Sequence, residues 1–311
     1  MSDFAILTPA STISLDGKAW RVATAPAAPD EPWTLKGHAS TLYRLHGGGE
    51  SAALKVMAVG SGAPGVSTLM SQLDSWSDLS GLAVAQRSVL DPDRCEELLG
   101  FPAGGACAVF MPWVDGPSWE SVVLGRWELT PQQSVRLARG LAETLAALEA
   151  RGLAHCQLSG HHLLLPLLAP HREATHPVAL VDLEGRWDPL ADTVPSGGLQ
   201  ADGYTHRAGP AWSPTADRFA GTVLMAEVLG WCDSVVREAG SGGAYFAPSD
   251  VGKDGQRYRL LVSRLRDRWG AEAATLLQDA WNSNDVSSCP PLSQWMRAVP
   301  DVYRPPARRQ T

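Results

Sequence analysis

The sequence has little positive charge, no long apolar run and no paired cysteines. Its 311 residues carry 26 Lys and Arg against 33 Asp and Glu, so the formal net charge is −7. Chains that coat nucleic acid need clustered Lys and Arg to release counterions, and this charge excludes that class. The longest uncharged apolar run, residues 163–169, is about a third of the length that a bilayer crossing needs. The first residues lack the pattern of a signal peptide, so we expect a cytoplasmic protein with no membrane or nucleic-acid partner.

Cysteine chemistry is equally sparse. The chain has 5 cysteines, an odd number, and no Cys-x-x-Cys pair. Reduced, buried thiols are the expected state, and neither a disulfide framework nor a zinc or haem site is predicted. The histidines cluster between residues 155 and 176, but His161 and His162 are adjacent and therefore point apart, a poor arrangement for chelation.

What the sequence does contain is enough apolar residues for a core. They make up 44% of the chain against 19% charged residues, which argues against disorder. The length favours two domains. The pattern predicts an N-terminal extension over residues 1–31, a strand-rich part over 32–114, a helical part over 115–300 and a flexible tail over 301–311.

The strand-rich part is read from period-two alternation. One strand candidate, 19–22, lies in the extension. A hairpin is predicted from strands at 41–45 and 52–56 around a turn at 46–50, and further strands at 82–89 and 107–111. One helix is predicted over 66–79 from apolar residues at helix spacing.

The helical part opens with its clearest helix, residues 130–151. Thr130 is placed to cap it, Pro131 suits the first turn, and Gln133 completes a capping box. Further helices are predicted at 217–229, 256–269, 271–281 and 292–299.

Several short segments then follow one another in an order typical of one family. They are Leu-Lys-Gly-His-Ala-Ser-Thr-Leu-Tyr (35–43), Ala-Leu-Lys (53–55), Phe-Met-Pro-Trp-Val-Asp-Gly-Pro-Ser (110–118), Leu-Ala-His-Cys-Gln-Leu-Ser-Gly-His-His (153–162), Val-Asp-Leu-Glu-Gly (181–185) and Asp-Arg-Phe-Ala (217–220). Over residues 33–299 the chain resembles the protein kinase-like superfamily, and most of all bacterial pseudokinases with a degenerate catalytic loop. The resemblance implies an α+β, bilobal fold: a small antiparallel sheet with one helix as the N-lobe, and a larger, mainly helical C-lobe.

The resemblance implies ATP and Mg²⁺ as ligands of a cleft. The positions that match the family's nucleotide site are Gly37, Ala53, Lys55, Met111, Trp113, Val114, Leu164 and Asp182, and Asp182 is the matching Mg²⁺ ligand. The match is incomplete. Gly37 alone stands for the family's three loop glycines, and the helix glutamate that pairs with the lysine is missing, with only Gln72 or Asp74 nearby. Outside this context Lys55 would be a solvated strand residue and Asp182 a turn residue; within it, the two are expected to form a buried ion pair.

The catalytic loop departs furthest from the family. By the resemblance, His155 is its structural histidine, Gln157 replaces the catalytic aspartate and His162 replaces the metal-binding asparagine; Cys156 stands where an arginine is usual. A neutral amide accepts a proton very poorly, and a general base is typically worth about 10²–10⁴ in rate. We therefore predict no catalytic residue, a signalling or scaffold role and a protein partner.

Two other functions stay open. An unconventional ATP-dependent transferase, either an atypical kinase or an AMP transferase, would use Glu184 beside Asp182 with His162 facing them. A small-molecule kinase is disfavoured, because it too needs the aspartate that Gln157 replaces. Asp217 matches the family's anchor at the start of the central helix.

Overall fold

The described part of the chain is an α+β protein with an antiparallel sheet in its N-terminal part and helices in its C-terminal part. The computed structural model describes residues 7–9, 11–15, 17–37, 40–57, 73, 76–90, 108–170, 175–183, 187 and 203–303. The chain divides into two compact units, one of Met1–Asp78 with Leu82–Val114 and one of Leu79–Gly81 with Asp115–Thr311.

The first unit is built on a seven-stranded sheet in which every pairing is antiparallel. The described strands of the whole unit, including two outside this sheet, are β1 (Thr12–Leu15), β2 (Lys18–Val22), β3 (Thr24–Ala25), β4 (Ala28–Pro32), β5 (Thr34–Lys36), β6 (Ser40–Gly47), β7 (Glu50–Met57), β8 (Ser88–Leu90) and β9 (Ala108–Pro112). The order is β1-β2-β6-β7-β9-β8, with β5 paired to β6, and β3 and β4 form a separate two-stranded ribbon.

The β6–β7 hairpin is the centre of this sheet, and its prediction is confirmed. It closes with Gly47 opposite Glu50, and both turn residues, Gly48 and Gly49, have positive φ (59° and 82°). A two-residue hairpin turn of this kind needs positive φ at both positions, which glycine adopts without a Cβ penalty. On one face, alternate residues of both strands, such as Leu45 and Leu54, are fully buried in the core of the unit.

Two N-terminal strands, β1 and β2, belong to the sheet: the strand predicted at 19–22 is confirmed as part of β2, and β1 is a strand that was not predicted. β1 pairs along its whole length with β2, and β2 pairs with β6 through Arg21 opposite His46. Ile13, Trp20 and Val22 enter the same core as the hairpin. The alternation in each strand is only four or five residues long, and sheet membership is decided by these pairings across the chain rather than by local pattern.

Of the two later strands and the one helix predicted for this unit, one strand is confirmed. The strand predicted at 82–89 is wrong over most of its length, because Ala83–Ala85 form a 3-10 helix that buries Val84 and Ala85, and only the end joins β8. The strand at 107–111 is confirmed as β9 from residue 108 onward. The helix predicted at 66–79 lies largely outside the described residues.

The second unit is mainly helical. Its helices are α1 (Trp119–Leu124), α2 (Pro131–Ala150), α3 (Arg218–Gly230), α4 (Ser234–Ala239), α5 (Gln256–Trp269), α6 (Ala271–Asn282) and α7 (Trp295–Ala298). Short 3-10 helices lie at Pro166–Leu168, Pro248–Asp250, Val286–Ser288 and Leu292–Gln294, and a small ribbon pairs β10 (Leu163–Leu164) with β11 (Ala179–Leu180). The long helices predicted from the sequence are confirmed, except that the last is a 3-10 turn followed by α7. No helix within the described ranges is long and apolar enough to cross a membrane.

Helix α3 lies at the centre of this unit. Every residue from Phe219 to Gly230 is buried, so the helix has no solvent face and can fix the elements packed around it. Three tryptophans of this unit, Trp231, Trp281 and Trp295, are at most 1% exposed and belong to its core.

The start of α2 offers a test of local stability. Thr130 Oγ1 accepts a hydrogen bond from the Gln133 N–H at 3.2 Å, and Gln133 Oε1 accepts one from the Thr130 N–H at 2.9 Å. Thr130→Ala should lower the free energy of unfolding by about 1 kcal/mol, because it removes this cap. Urea unfolding measures the change, and Gln132→Ala in the same exposed turn should stay within about 0.5 kcal/mol of the wild type. Equal losses in both variants would contradict the role of the cap.

Candidate functional site

The loop that carries the predicted degenerate positions, His155, Gln157 and His162, is anchored by a buried carboxylate. Asp217 stands directly before α3 and is 4% exposed. Its Oδ2 accepts a hydrogen bond from the His155 N–H at 2.5 Å, and its Oδ1 accepts one from the Cys156 N–H at 2.9 Å. Burial raises the pKa of Asp217 to about 6, although both N–H donors act in the opposite direction. Asp217 therefore ties the path of this loop to the central helix.

The anchored backbone is unusual at Cys156. Its φ is 65°, the left-handed conformation that residues with a Cβ rarely adopt. The thiol is buried, and burial raises its pKa to about 12. The side chain is therefore held as a neutral thiol, unsuited to nucleophilic or metal chemistry.

His155 is a neutral structural residue. Its Nε2 lies 2.8 Å from the Val181 carbonyl and its Nδ1 lies 3.3 Å from the Gln157 N–H. Since a carbonyl accepts and an N–H donates, Nε2 carries the hydrogen and Nδ1 is the acceptor. Burial first, and the neighbouring His162 second, lower the pKa of His155 to about 4. The ring thereby links this loop to the strand that leads to Asp182.

His162 and Asp182 meet at the end of this arrangement. His162 Nδ1 lies 2.7 Å from the Gln157 carbonyl, and its Nε2 lies 3.3 Å from Asp182 Oδ2. Asp182 follows β11 with φ 63°, and the Val181 N–H donates to the His162 carbonyl at 3.0 Å. The three predicted degenerate positions and Asp182 are therefore brought together, and the ring of His162 is held from both sides.

These groups do not fit the magnesium site that the sequence suggests. Mg²⁺ prefers near-octahedral oxygen ligands, whereas the side chain beside Asp182 is an imidazole. Among the described residues there is no group of three or more His, Cys, Asp and Glu side chains placed to hold a metal ion. Glu184, the acid of the alternative transferase, lies outside the described residues.

Three of the nucleotide positions predicted in the first unit, Ala53, Lys55 and Met111, share one sheet face. Ala53 pairs with Met111 and Lys55 with Val109, so these four side chains project from the same side of β7 and β9. The Gly37 N–H donates to the Ser40 carbonyl at 2.8 Å, which closes the β5–β6 turn. Gln72 and Asp74, the suggested partners of Lys55, lie outside the described residues.

The remaining predicted positions are placed by packing and pairing. The edge of the Trp113 ring meets Trp33 at 4.8 Å between centroids, and the Arg44 guanidinium lies 4.7 Å from the Trp113 ring centroid. Val114 ends the first unit. Leu164 lies in the second unit, in β10, paired with Ala179. The predicted ion pair between Lys55 and Asp182 stays a prediction.

A groove beside the anchored loop was not predicted. It is a cavity of about 590 Å³ in the second unit, lined among others by Glu120, Gln157, His161 and Tyr204. Glu120 Oε2 and His161 Nδ1 are 2.8 Å apart at its rim. A Cβ at Gly243 would lie 2.7 Å from Glu120 Oε1, so the absence of a side chain there keeps room for this carboxylate.

Beneath the groove lies a second buried carboxylate, Glu227, which was not predicted from the sequence either. It accepts hydrogen bonds from Trp119 Nε1 at 2.8 Å, from the Tyr204 hydroxyl at 2.9 Å and from the Tyr245 N–H at 3.2 Å. Burial raises its pKa to about 7. The sequence does carry a signal for it, since Glu227 is the single charged residue in the otherwise uncharged run 219–230. A charged group inside a wholly buried helix needs hydrogen-bond donors around it.

Comparison with known proteins adds no relative. No protein-family model matches the chain, and no curated protein matches it.

Proposed function

We propose that the chain is a pseudokinase: a kinase-like signalling or scaffold protein that binds a partner protein and does not transfer phosphate. One observation carries the proposal. Gln157, an amide, stands on the loop that Asp217 anchors through the His155 and Cys156 N–H groups. In the family that the sequence resembles, this position holds the aspartate that accepts the proton of the attacking hydroxyl.

The chemistry of the neighbouring groups supports an inactive site. His155 is locked in one tautomer between the Val181 carbonyl and the Gln157 N–H. Both nitrogens of His162 are engaged, by the Gln157 carbonyl and by Asp182. No imidazole of this group is therefore free to replace the missing base. Loss of a general base alone removes about 10²–10⁴ in rate.

The same contacts suit a protein whose task is to hold a shape. Asp217 and Glu227 each join a loop to the buried helix α3, and both accept hydrogen bonds from main-chain N–H groups. The groove next to the loop offers a surface for a partner, with Glu120 and His161 at its rim. ATP is part of this proposal, as a weakly held ligand.

Incubation with ATP labelled on the α- or the γ-phosphate tests the proposal. We expect the wild-type protein to incorporate no more label than Lys55→Ala. Gln157→Asp is the matched variant, since it restores a proton acceptor by one change; because His162 still occupies the position that holds a metal-binding asparagine in the family that the sequence resembles, this variant should incorporate no more γ-label than the wild type.

Two results would contradict the proposal. Strong γ-phosphate incorporation by the wild-type protein, abolished by Lys55→Ala, would identify an active kinase. Incorporation of the α-label would identify AMP transfer instead.

A further inference from the structure

The groove beside the anchored loop carries a carboxylate that no lysine or arginine of its walls neutralises. Its volume, about 590 Å³, lies within the range of about 300–1,000 Å³ that ligand pockets have. Among the described residues that line it, Glu120 is the one acidic side chain, and none is Lys or Arg. The Glu120 side chain is 38% exposed, so its charge is accessible to a ligand in the groove.

The carboxylate of Glu120 is held in position from two directions. The Glu120 N–H donates to the Gly160 carbonyl at 3.0 Å, which joins α1 to the anchored loop. His161 Nδ1 lies 2.8 Å from Glu120 Oε2, and because a carboxylate can only accept, the ring nitrogen donates. An ionised carboxylate has about four acceptor sites, so this bond leaves both oxygens able to accept from a ligand.

The space in front of this carboxylate is kept open by a glycine. A Cβ at Gly243 would lie 2.7 Å from Glu120 Oε1 and 2.8 Å from its Cγ. Deeper in the groove, the walls include Tyr204 and Phe246, which are 5% and 1% exposed. The Tyr204 hydroxyl donates to Glu227 at 2.9 Å, which fixes its ring. The groove therefore combines a positioned charge partner with rigid aromatic walls.

We infer that this groove takes an arginine side chain from an extended segment of the partner protein. A planar guanidinium donates two parallel N–H bonds to one carboxylate and stacks on aromatic rings, whereas a lysine ammonium is a point charge. The net charge of −7 also favours the approach of a basic segment. The inference rests on the proposed function in taking a protein as the partner, and it adds the chemistry by which that partner is recognised.

Fluorescence anisotropy at low salt with a short, labelled glycine-serine peptide that contains arginine tests the inference. The wild type should bind this peptide, should bind the same peptide with lysine more weakly, and should not bind the one with glutamate. Glu120→Gln removes the charge with little change of shape and should weaken binding of the arginine peptide about tenfold. Glu272→Gln, in the first turn of α6, is the matched control, because it removes the same net charge from a residue that does not line the groove. It should bind as the wild type does.

Gly243→Ala tests the geometry without altering any charge. The added methyl group would occupy space that the Glu120 side chain now fills, so the carboxylate has to move. The affinity for the arginine peptide should fall about as far as in Glu120→Gln. Thermal unfolding midpoints equal to that of the wild type show that both variants are folded when they are measured.

Two outcomes would overturn the inference. One is equal affinity of the wild type, Glu120→Gln and Gly243→Ala for the arginine peptide, which would place the peptide elsewhere on this acidic protein. The other is a wild type that binds the arginine peptide no more tightly than the glutamate peptide. Neither result bears on phosphate transfer, because no ATP is present. Incorporation of labelled phosphate would contradict the proposed function and leave the peptide result standing.

Discussion

Asp217→Ala should lower the free energy of unfolding by about 4 kcal/mol. The carboxylate accepts from two buried main-chain N–H groups, those of His155 and Cys156, and each buried donor left without a partner costs about 1–3 kcal/mol. The left-handed backbone at Cys156, worth about 1–2 kcal/mol of strain, would also lose the bond that holds it. Urea unfolding followed by tryptophan fluorescence measures the loss.

Asp233→Ala is the matched control, because Asp233 also precedes a helix but caps it by accepting from the Val235 N–H near the surface. It should cost about 1 kcal/mol, the usual value for such a cap. Asp217→Asn retains one acceptor and should fall between the two. If the Asp217 and Asp233 variants lose equal stability, the anchoring role is wrong.

The stability difference between wild type and Glu227→Gln should fall by about 3 kcal/mol from pH 4.5 to pH 8. The folded-state pKa of Glu227 is about 7, above its ordinary value of 4.5, because the carboxylate is buried. The folded protein therefore binds the proton more tightly, so this contribution to stability is complete below pH 4.5 and is lost as the pH rises through 7. Each unit of pKa shift corresponds to about 1.4 kcal/mol.

Two other buried groups, Asp217 and His155, also make the free energy of unfolding depend on pH. Their contributions drop out when the variant is subtracted from the wild type. Asp217, with a pKa raised to about 6, acts in the same direction, and His155, with a pKa lowered to about 4, acts in the opposite one. Both are present in wild type and variant, so they cancel. Denaturant unfolding of both proteins at a series of pH values gives the difference. A constant difference across the range would disprove the shifted pKa of Glu227.

Local signals in the sequence were enough for the elements that depend on nearby residues. The capping box of Thr130 and Gln133 places the start of α2 correctly, and the paired glycines set the β6–β7 turn. Where the outcome depends on distant contacts, the local pattern is not enough: β1 was not predicted and is a strand through its pairing with β2, and residues 83–85, inside a predicted strand, form a 3-10 helix that buries Val84 and Ala85.

The candidate site divides in the same way. The positions of His155, Gln157, His162, Asp182 and Asp217 follow from matching short segments. Their bonding does not, because hydrogen bonds between residues 155 and 217, or 162 and 182, arise from tertiary structure. Glu227 was detectable as the one charged residue in the buried run 219–230, yet its three donors come from α1, from the loop at 204 and from the loop at 245.

The two bonds from Asp217 end on main-chain N–H groups, which every residue except proline possesses. These two bonds therefore require no particular side chain at positions 155 and 156, whereas the left-handed backbone at Cys156 and the ring contacts of His155 do depend on the residue present. The path of this loop is thereby set through the main chain, by one carboxylate at the start of the buried helix α3.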